Sequence, residues 1–243
     1  MASLDQVADG IYRIATFAPR GNATFNQFLI EDEHPTLVHA GTRQDYEAVK
    51  RAIASVLEPS RLEYVVVLQF EGDEFGAMDQ FATDAAGAVV VCGPVAARAF
   101  LHQLGYAGAI REVQDGDMLD LGSHKLRFLE TPHVHAWDSI MAFEESTRSL
   151  FSGDLFVQPG DQPAIVREDL SREMCQWLRD LGVFAAEGPV RRVLDRLEGL
   201  APSIVHPMHG GSLTADVLPV YVRALRTEPL AFNGKLFGRT VPS

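Results

Sequence analysis

The chain is poor in cysteine, in basic residues and in long apolar runs. Cys92 and Cys175 are its two cysteines in 243 residues. They make neither a disulfide framework nor a Cys-x-x-Cys zinc knuckle, and Cys92, behind the apolar residues 88–91, reads as core. Lys and Arg number 21 against 33 Asp and Glu, a net charge of −12. That balance leaves no basic face for a nucleic acid. The first six residues, Met-Ala-Ser-Leu-Asp-Gln, lack the basic and apolar regions of a signal peptide, and no apolar run reaches the length of a membrane span. The expectation is a cytoplasmic protein with no membrane or nucleic-acid partner. Gly and Pro are scattered, with no low-complexity tract and no repeat at a solenoid period.

What is present is apolar bulk, 47% hydrophobic residues, cut into short alternating pieces. Strand patterns fit 10–17, 24–30 and 36–41. Apolar positions at Tyr46, Val49, Ile53 and Val56 recur at helical spacing over 45–57. Residues 64–69 read as a fully buried strand, 73–83 as a helix, 88–92 as a strand and 95–104 as a helix. The second half repeats the alternation, with strands in 117–129, 138–144, 148–152 and 203–206 and helices at 168–182, 187–198 and 214–225. No linker divides the halves, so the pattern predicts one layered α/β domain over residues 1–243.

Four clusters of acid or imidazole groups sit at predicted strand ends. The buried strand 64–69 ends at Gln69, and Glu71, Asp73 and Glu74 follow within five positions. Carboxylates this close repel one another unless cations or water screen them. His133 and His135 follow the strand pattern of 117–129, Asp154 ends the apolar run at 150–152, and His209 follows strand 203–206. A lone histidine at a strand end is most often structural, and an isolated acidic loop is most often solvated. Four such clusters in one domain point to a metal centre.

The order of these pieces resembles the metallo-β-lactamase superfamily, and within it the flavodiiron, or oxygen-binding di-iron, branch. The resemblance is strongest at His-Ala-Trp-Asp-Ser (135–139) and Leu-Phe-Ser-Gly-Asp-Leu-Phe (150–156). It implies an αββα sandwich with two metal ions at one edge of the paired sheets. The branch carries His-x-Glu-x-Asp-His after the buried strand, and here Gln69 and Glu74 replace its two histidines. By resemblance, Gln69, Glu71 and His135 face one metal, Asp73, Glu74 and His209 the other, and Asp154 bridges. His133 and His39 are placed as partners that orient ligands, His133 also as a donor that fills the gap left by Gln69, because alternate strand residues point the same way. His206 is expected to be structural, and His34, His102 and His124 to be surface residues.

An oxygen-rich ligand set favours iron or manganese over zinc. The resemblance therefore implies two iron ions, with manganese or zinc as alternatives. It implies dioxygen or another small diatomic such as nitric oxide as ligand, an external electron donor, and a homodimer. No Gly- and Ser/Thr-rich phosphate loop is read in the chain, so no FMN is expected in it. A sensor and a partner-dependent oxidoreductase both fit. So do two other classes: a hydrolase working through metal-bound hydroxide, and a metal-poor scaffold kept for protein contacts.

Overall fold

The computed structural model describes residues 2–241. Its first half builds one seven-stranded sheet whose strands lie in sequence order. These are β1 (Ser3–Ala8), β2 (Ile11–Ala18), β3 (Ala23–Ile30), β4 (Thr36–Val38), β5 (Tyr64–Val66), β6 (Val89–Cys92) and β7 (Ile110–Glu112). The first four strands pair antiparallel; from β4 to β7 the pairing is parallel. Parallel neighbours need crossovers, supplied by α1 (Tyr46–Ile53), α2 (Met78–Asp84) and a π-helical stretch, Ala96–Leu101.

The second half builds a second seven-stranded sheet from β8 (Met118–Asp120), β9 (Lys125–Glu130), β10 (Ile140–Glu144), β11 (Ser149–Phe151), β12 (Ile165–Val166), β13 (Ile204–His206) and β14 (Ser212–Thr214). Its spatial order is β12-β14-β13-β11-β10-β9-β8. The chain passes through α3 (Ser171–Leu181) and α4 (Glu187–Leu200) before β13 pairs parallel to β11; α5 (Leu218–Thr227) follows β14.

Three apolar layers hold the four-layer stack together. Ile11, Phe28, Val66 and Val91 of the first sheet meet Leu126, Phe128, Ile140 and Phe151 of the second in a core that excludes water from both inner faces. Val49, Ile53 and Phe81 pack the helices of the first half onto its sheet, and Met174, Leu178, Leu194 and Tyr221 do the same in the second half. This is the αββα sandwich that the resemblance implies.

Two expectations need correction. Residues 73–77 are turns, and the helix begins at Met78. The backbone there is already committed: Ala40 N–H donates to the carbonyl of Glu74 (2.6 Å), and Ala77 N–H donates to that of Gly41 (2.9 Å). The strand ends at Val66; Val67 N–H still donates to the Val91 carbonyl (2.9 Å), and residues 68–69 then reach across the sandwich, with Ile140 of the second sheet donating to the Leu68 carbonyl (2.8 Å). That crossing carries Gln69 to the seam between the sheets.

Candidate metal centre

The carboxyl ends of parallel strands are where open α/β sheets place their ligands. The loop after β5 brings Gln69, Glu71, Asp73 and Glu74, the loop after β11 brings Asp154, and the turn after β13 brings His209. His135 comes from the loop between β9 and β10. Glu71, Asp73, His135, Asp154 and His209 line one cavity of about 250 Å³, so groups from both sheets meet there. Phe25, Val157, Trp177 and Leu178 make apolar walls around them. A larger cavity, about 770 Å³, lies behind the same loop against Phe70, Phe75 and Tyr106. No imidazole lines it, and the chemistry belongs to the smaller one.

Asp154 is the hub. Its Oδ2 lies 3.0 Å from His135 Nε2, and its Oδ1 lies 3.3 Å from His209 Nε2. Glu71 Oε2 is 3.1 Å from His135 Nε2, and Asp73 Oδ2 is 3.4 Å from His209 Nε2. Among the described residues, Glu71, His135 and Asp154 form a group whose ligand atoms all lie within 4.8 Å of one another. The Gln69 amide nitrogen touches all three, at 2.8 Å from Glu71, 3.1 Å from His135 and 2.5 Å from Asp154. Ser139 Oγ donates to the Gln69 carbonyl oxygen at 2.7 Å and sets that orientation.

The other replaced position is not among the residues that line the cavity. Glu74 is fully buried, with its Oε1 3.6 Å from Nδ1 of the equally buried His39. Among the described residues, neither carboxylate oxygen of Glu74 has a hydrogen-bond partner, nor does His39 Nδ1 or Asp154 Oδ1. Buried acceptors without donors are costly, and a cation satisfies them. Together with the three carboxylates and two imidazoles that line the cavity, these orphaned atoms fit a hard metal ion such as iron.

Burial and charge set the protonation of the metal-free site. Burial opposes ionisation of Asp154, but contacts from His135 and His209 outweigh it and hold the carboxyl well below the usual carboxylate range. Burial also disfavours the imidazolium forms, yet Asp154 and Glu71 push His135 up to about 10, and Asp154 and Asp73 push His209 up to about 9. Burial, aided by Asp154 and Glu71, raises Asp73 to about 6. Burial also drives Glu74 well above its ordinary value and His39 down to about 3.

The His209 turn is held by the opposite sheet. His209 Nδ1 lies 3.0 Å from the Thr24 carbonyl, which leaves Nε2 for the cavity. Asn26 donates to the carbonyls of Pro207 (2.9 Å) and Gly210 (2.8 Å), and the buried Arg13 adds 2.9 Å to Gly210 and 2.8 Å to Asn26. Gly210, at φ +88, takes a conformation that favours glycine, and a Cβ there would meet the Gln158 side chain at 2.5 Å.

Two histidines depart from expectation and a third meets it. His133 is exposed, with φ +66, in a turn and not on a strand, so the alternation that would aim it at the centre does not exist. His124 is buried, not on the surface, and its Nδ1 pairs with Asp32 at 2.7 Å. His206 is structural as expected, between Phe28 and Phe151 with Nδ1 2.7 Å from Ser212 Oγ. Sequence reasoning missed Ser139, Asn26 and Arg13. A basic residue inside the apolar strand β2 was the one available signal.

A family model described as "ODP family beta lactamase" matches residues 23–210. The rubredoxin-oxygen oxidoreductase of Megalodesulfovibrio gigas is 26% identical over 204 residues, covering 80% of this chain and 50% of that protein. The solved rubredoxin oxygen:oxidoreductase of Desulfovibrio gigas superposes with a TM-score of 0.84 at 22% identity, covering 92% of this chain and 60% of that one. The flavodiiron protein of Giardia intestinalis gives 0.83 at 19% identity, over 93% and 59%. The chain spans 50% of the length of the Megalodesulfovibrio gigas oxidoreductase and 24% of a putative diflavin flavoprotein of Nostoc, so it corresponds to only part of these relatives.

Proposed function

This chain belongs to the ODP family of beta lactamases, whose members similar to it are flavodiiron proteins, and from that premise we propose that it is an iron protein that binds or reduces dioxygen or nitric oxide with electrons from a separate donor. The observation that carries this reading is the small cavity where Glu71, Asp73, His135, Asp154 and His209 meet under apolar walls. Iron held there would exchange electrons with a small diatomic ligand.

The chain's own residues prepare the rest. Phe25, Val157, Trp177 and Leu178 give the cavity apolar walls that suit an uncharged diatomic, while Glu71 stays exposed to solvent. Thr24 fixes the His209 ring by holding Nδ1, so Nε2 is the nitrogen offered to a metal. Carboxylate-rich coordination favours iron or manganese over zinc, and so favours redox chemistry over hydrolysis. The relatives' name pairs oxygen with rubredoxin, so a small one-electron protein is the donor class to try first. A single domain, a homodimer and a cytoplasmic setting complete the proposal; no helix among the described residues is long and apolar enough to cross a membrane.

The test is metal content with gas consumption. The purified protein should carry iron and consume oxygen or nitric oxide under a reduced rubredoxin-type donor, and Asp154→Ala should lose both. Zinc with ester hydrolysis would replace this reading by the hydrolase, and a metal-free protein that takes up no iron would leave the scaffold.

A further inference from the structure

Resting on the metal-centre reading above, we infer that the chain itself closes the first of the two metal positions: the Gln69 carboxamide stands where a cation would stand among Glu71, His135 and Asp154, and the centre holds one metal ion per chain, on the Asp73–His209 side of Asp154.

The first position is complete without a metal. A carboxamide nitrogen has two hydrogens and no lone pair to offer. Here they serve Glu71 Oε2 at 2.8 Å and Asp154 Oδ2 at 2.5 Å, while His135 Nε2 lies 3.1 and 3.0 Å from the same two oxygens. Glu71 Oε2, Asp154 Oδ2 and His135 Nε2 therefore each have a partner without a metal. A cation would need to approach those three atoms to about 2.0–2.3 Å, on the face the amide nitrogen already occupies. It would also meet the positive end of the N–H dipoles. Coordination through Gln69 would require the amide to turn over, with Ser139 Oγ changing from donor to acceptor against a fully buried neighbour.

The second position is the opposite case. Asp154 Oδ1, both Glu74 oxygens and His39 Nδ1 are buried without hydrogen-bond partners. His209 Nε2 lies 3.3 Å from Asp154 Oδ1 and 3.4 Å from Asp73 Oδ2, too long for strong hydrogen bonds. Two ligands about 2.1 Å from one tetrahedral ion stand about 3.4 Å apart, which is the spacing these pairs show. The same spacing recurs between His39 Nδ1 and Glu74 Oε1, at 3.6 Å. His39 thus puts an imidazole beside the carboxylate that replaced one at position 74.

The count of bound metal decides. Protein loaded anaerobically with excess ferrous iron, then freed of unbound metal by gel filtration, should retain one iron per chain. Gln69→His, which removes the amide and restores a ligand, should retain two. Two irons on the wild-type chain would overturn the inference and leave the metal-centre reading standing. No iron on it would overturn both. One iron on wild type that stays at one in a folded Gln69→His variant would show that something other than the amide closes the first position, and would also overturn the inference. If Gln69→His does not fold, the wild-type count still separates one from two.

Discussion

Gly76 sits at the end of the turn that carries Glu71, Asp73 and Glu74, and its hydrogen is all the space there allows. A Cβ built on it would lie 2.3 Å from the carbonyl oxygen of Gly72, 3.1 Å from that of Gly41 and 3.3 Å from the amide nitrogen of Arg43. All three are backbone atoms, so no rotamer relieves the contact and the turn itself must move. Overpacking of this kind costs roughly 1–3 kcal/mol. For a chain of this length each kcal/mol is worth about 2–4 °C in melting temperature, so Gly76→Ala should melt roughly 2–12 °C lower, by the same principle. The turn is pinned to residues 40 and 41 through the carbonyl of Glu74 and the amide of Ala77, so the displacement passes to the acids, and iron affinity should fall by about 10-fold or more. Gly72→Ala is the internal control. Nothing lies within 4 Å of a Cβ there, and the change should stay within about 0.5 kcal/mol. Thermal denaturation of both variants, with iron titrations, makes the comparison. Equal melting temperatures for the two would refute the claim that this turn is sterically fixed.

Two further outcomes follow from the buried charges. Glu74→Gln removes a carboxyl whose oxygens have no partner, so the metal-free variant should be more stable than wild type at pH 8 in urea titrations, while its iron affinity falls about 10-fold. In the metal-free protein His135 and His209 are raised to about 10 and 9 and Asp73 to about 6. The histidine contribution is fully present below the unfolded value of about 6.5 and is lost as pH rises through the folded values. The Asp73 contribution is lost earlier, between about 4 and 6. Metal-free stability should therefore decline with rising pH, and iron affinity should rise, because binding displaces those protons. Urea midpoints and iron titrations between pH 6 and 9 test both directions.

The layered fold was legible because it rests on local patterns, apolar runs and helical spacing; polar groups where strands stop marked the candidate residues, and it was the resemblance to the flavodiiron branch that implied their convergence. The short strands β1, β7, β12 and β14 were not, since two to six residues at a sheet margin carry too little periodicity to separate from loop. The start of α2 was misread because the backbone groups of Glu74 and Ala77 are taken by residues 40 and 41, contacts invisible to a local window. His124 failed for the same reason, its partner Asp32 lying 92 positions away. Gln69 was legible as a substitution, but which end of its amide enters the site depends on Ser139, 70 positions on.

The cavity groups are divided between the two halves of the sandwich, Glu71 and Asp73 arriving from one and His135, Asp154 and His209 from the other. What separates the two sets is the thickness of the apolar layer made by Phe28, Val66, Phe128 and Phe151. That layer works as a caliper. A packed interior answers the loss or gain of a single methylene, so a change there resets the gap between the jaws without touching a ligand. The tuning of the centre is thereby spread over side chains that never meet it, in the part of the molecule that otherwise reads as plain filling.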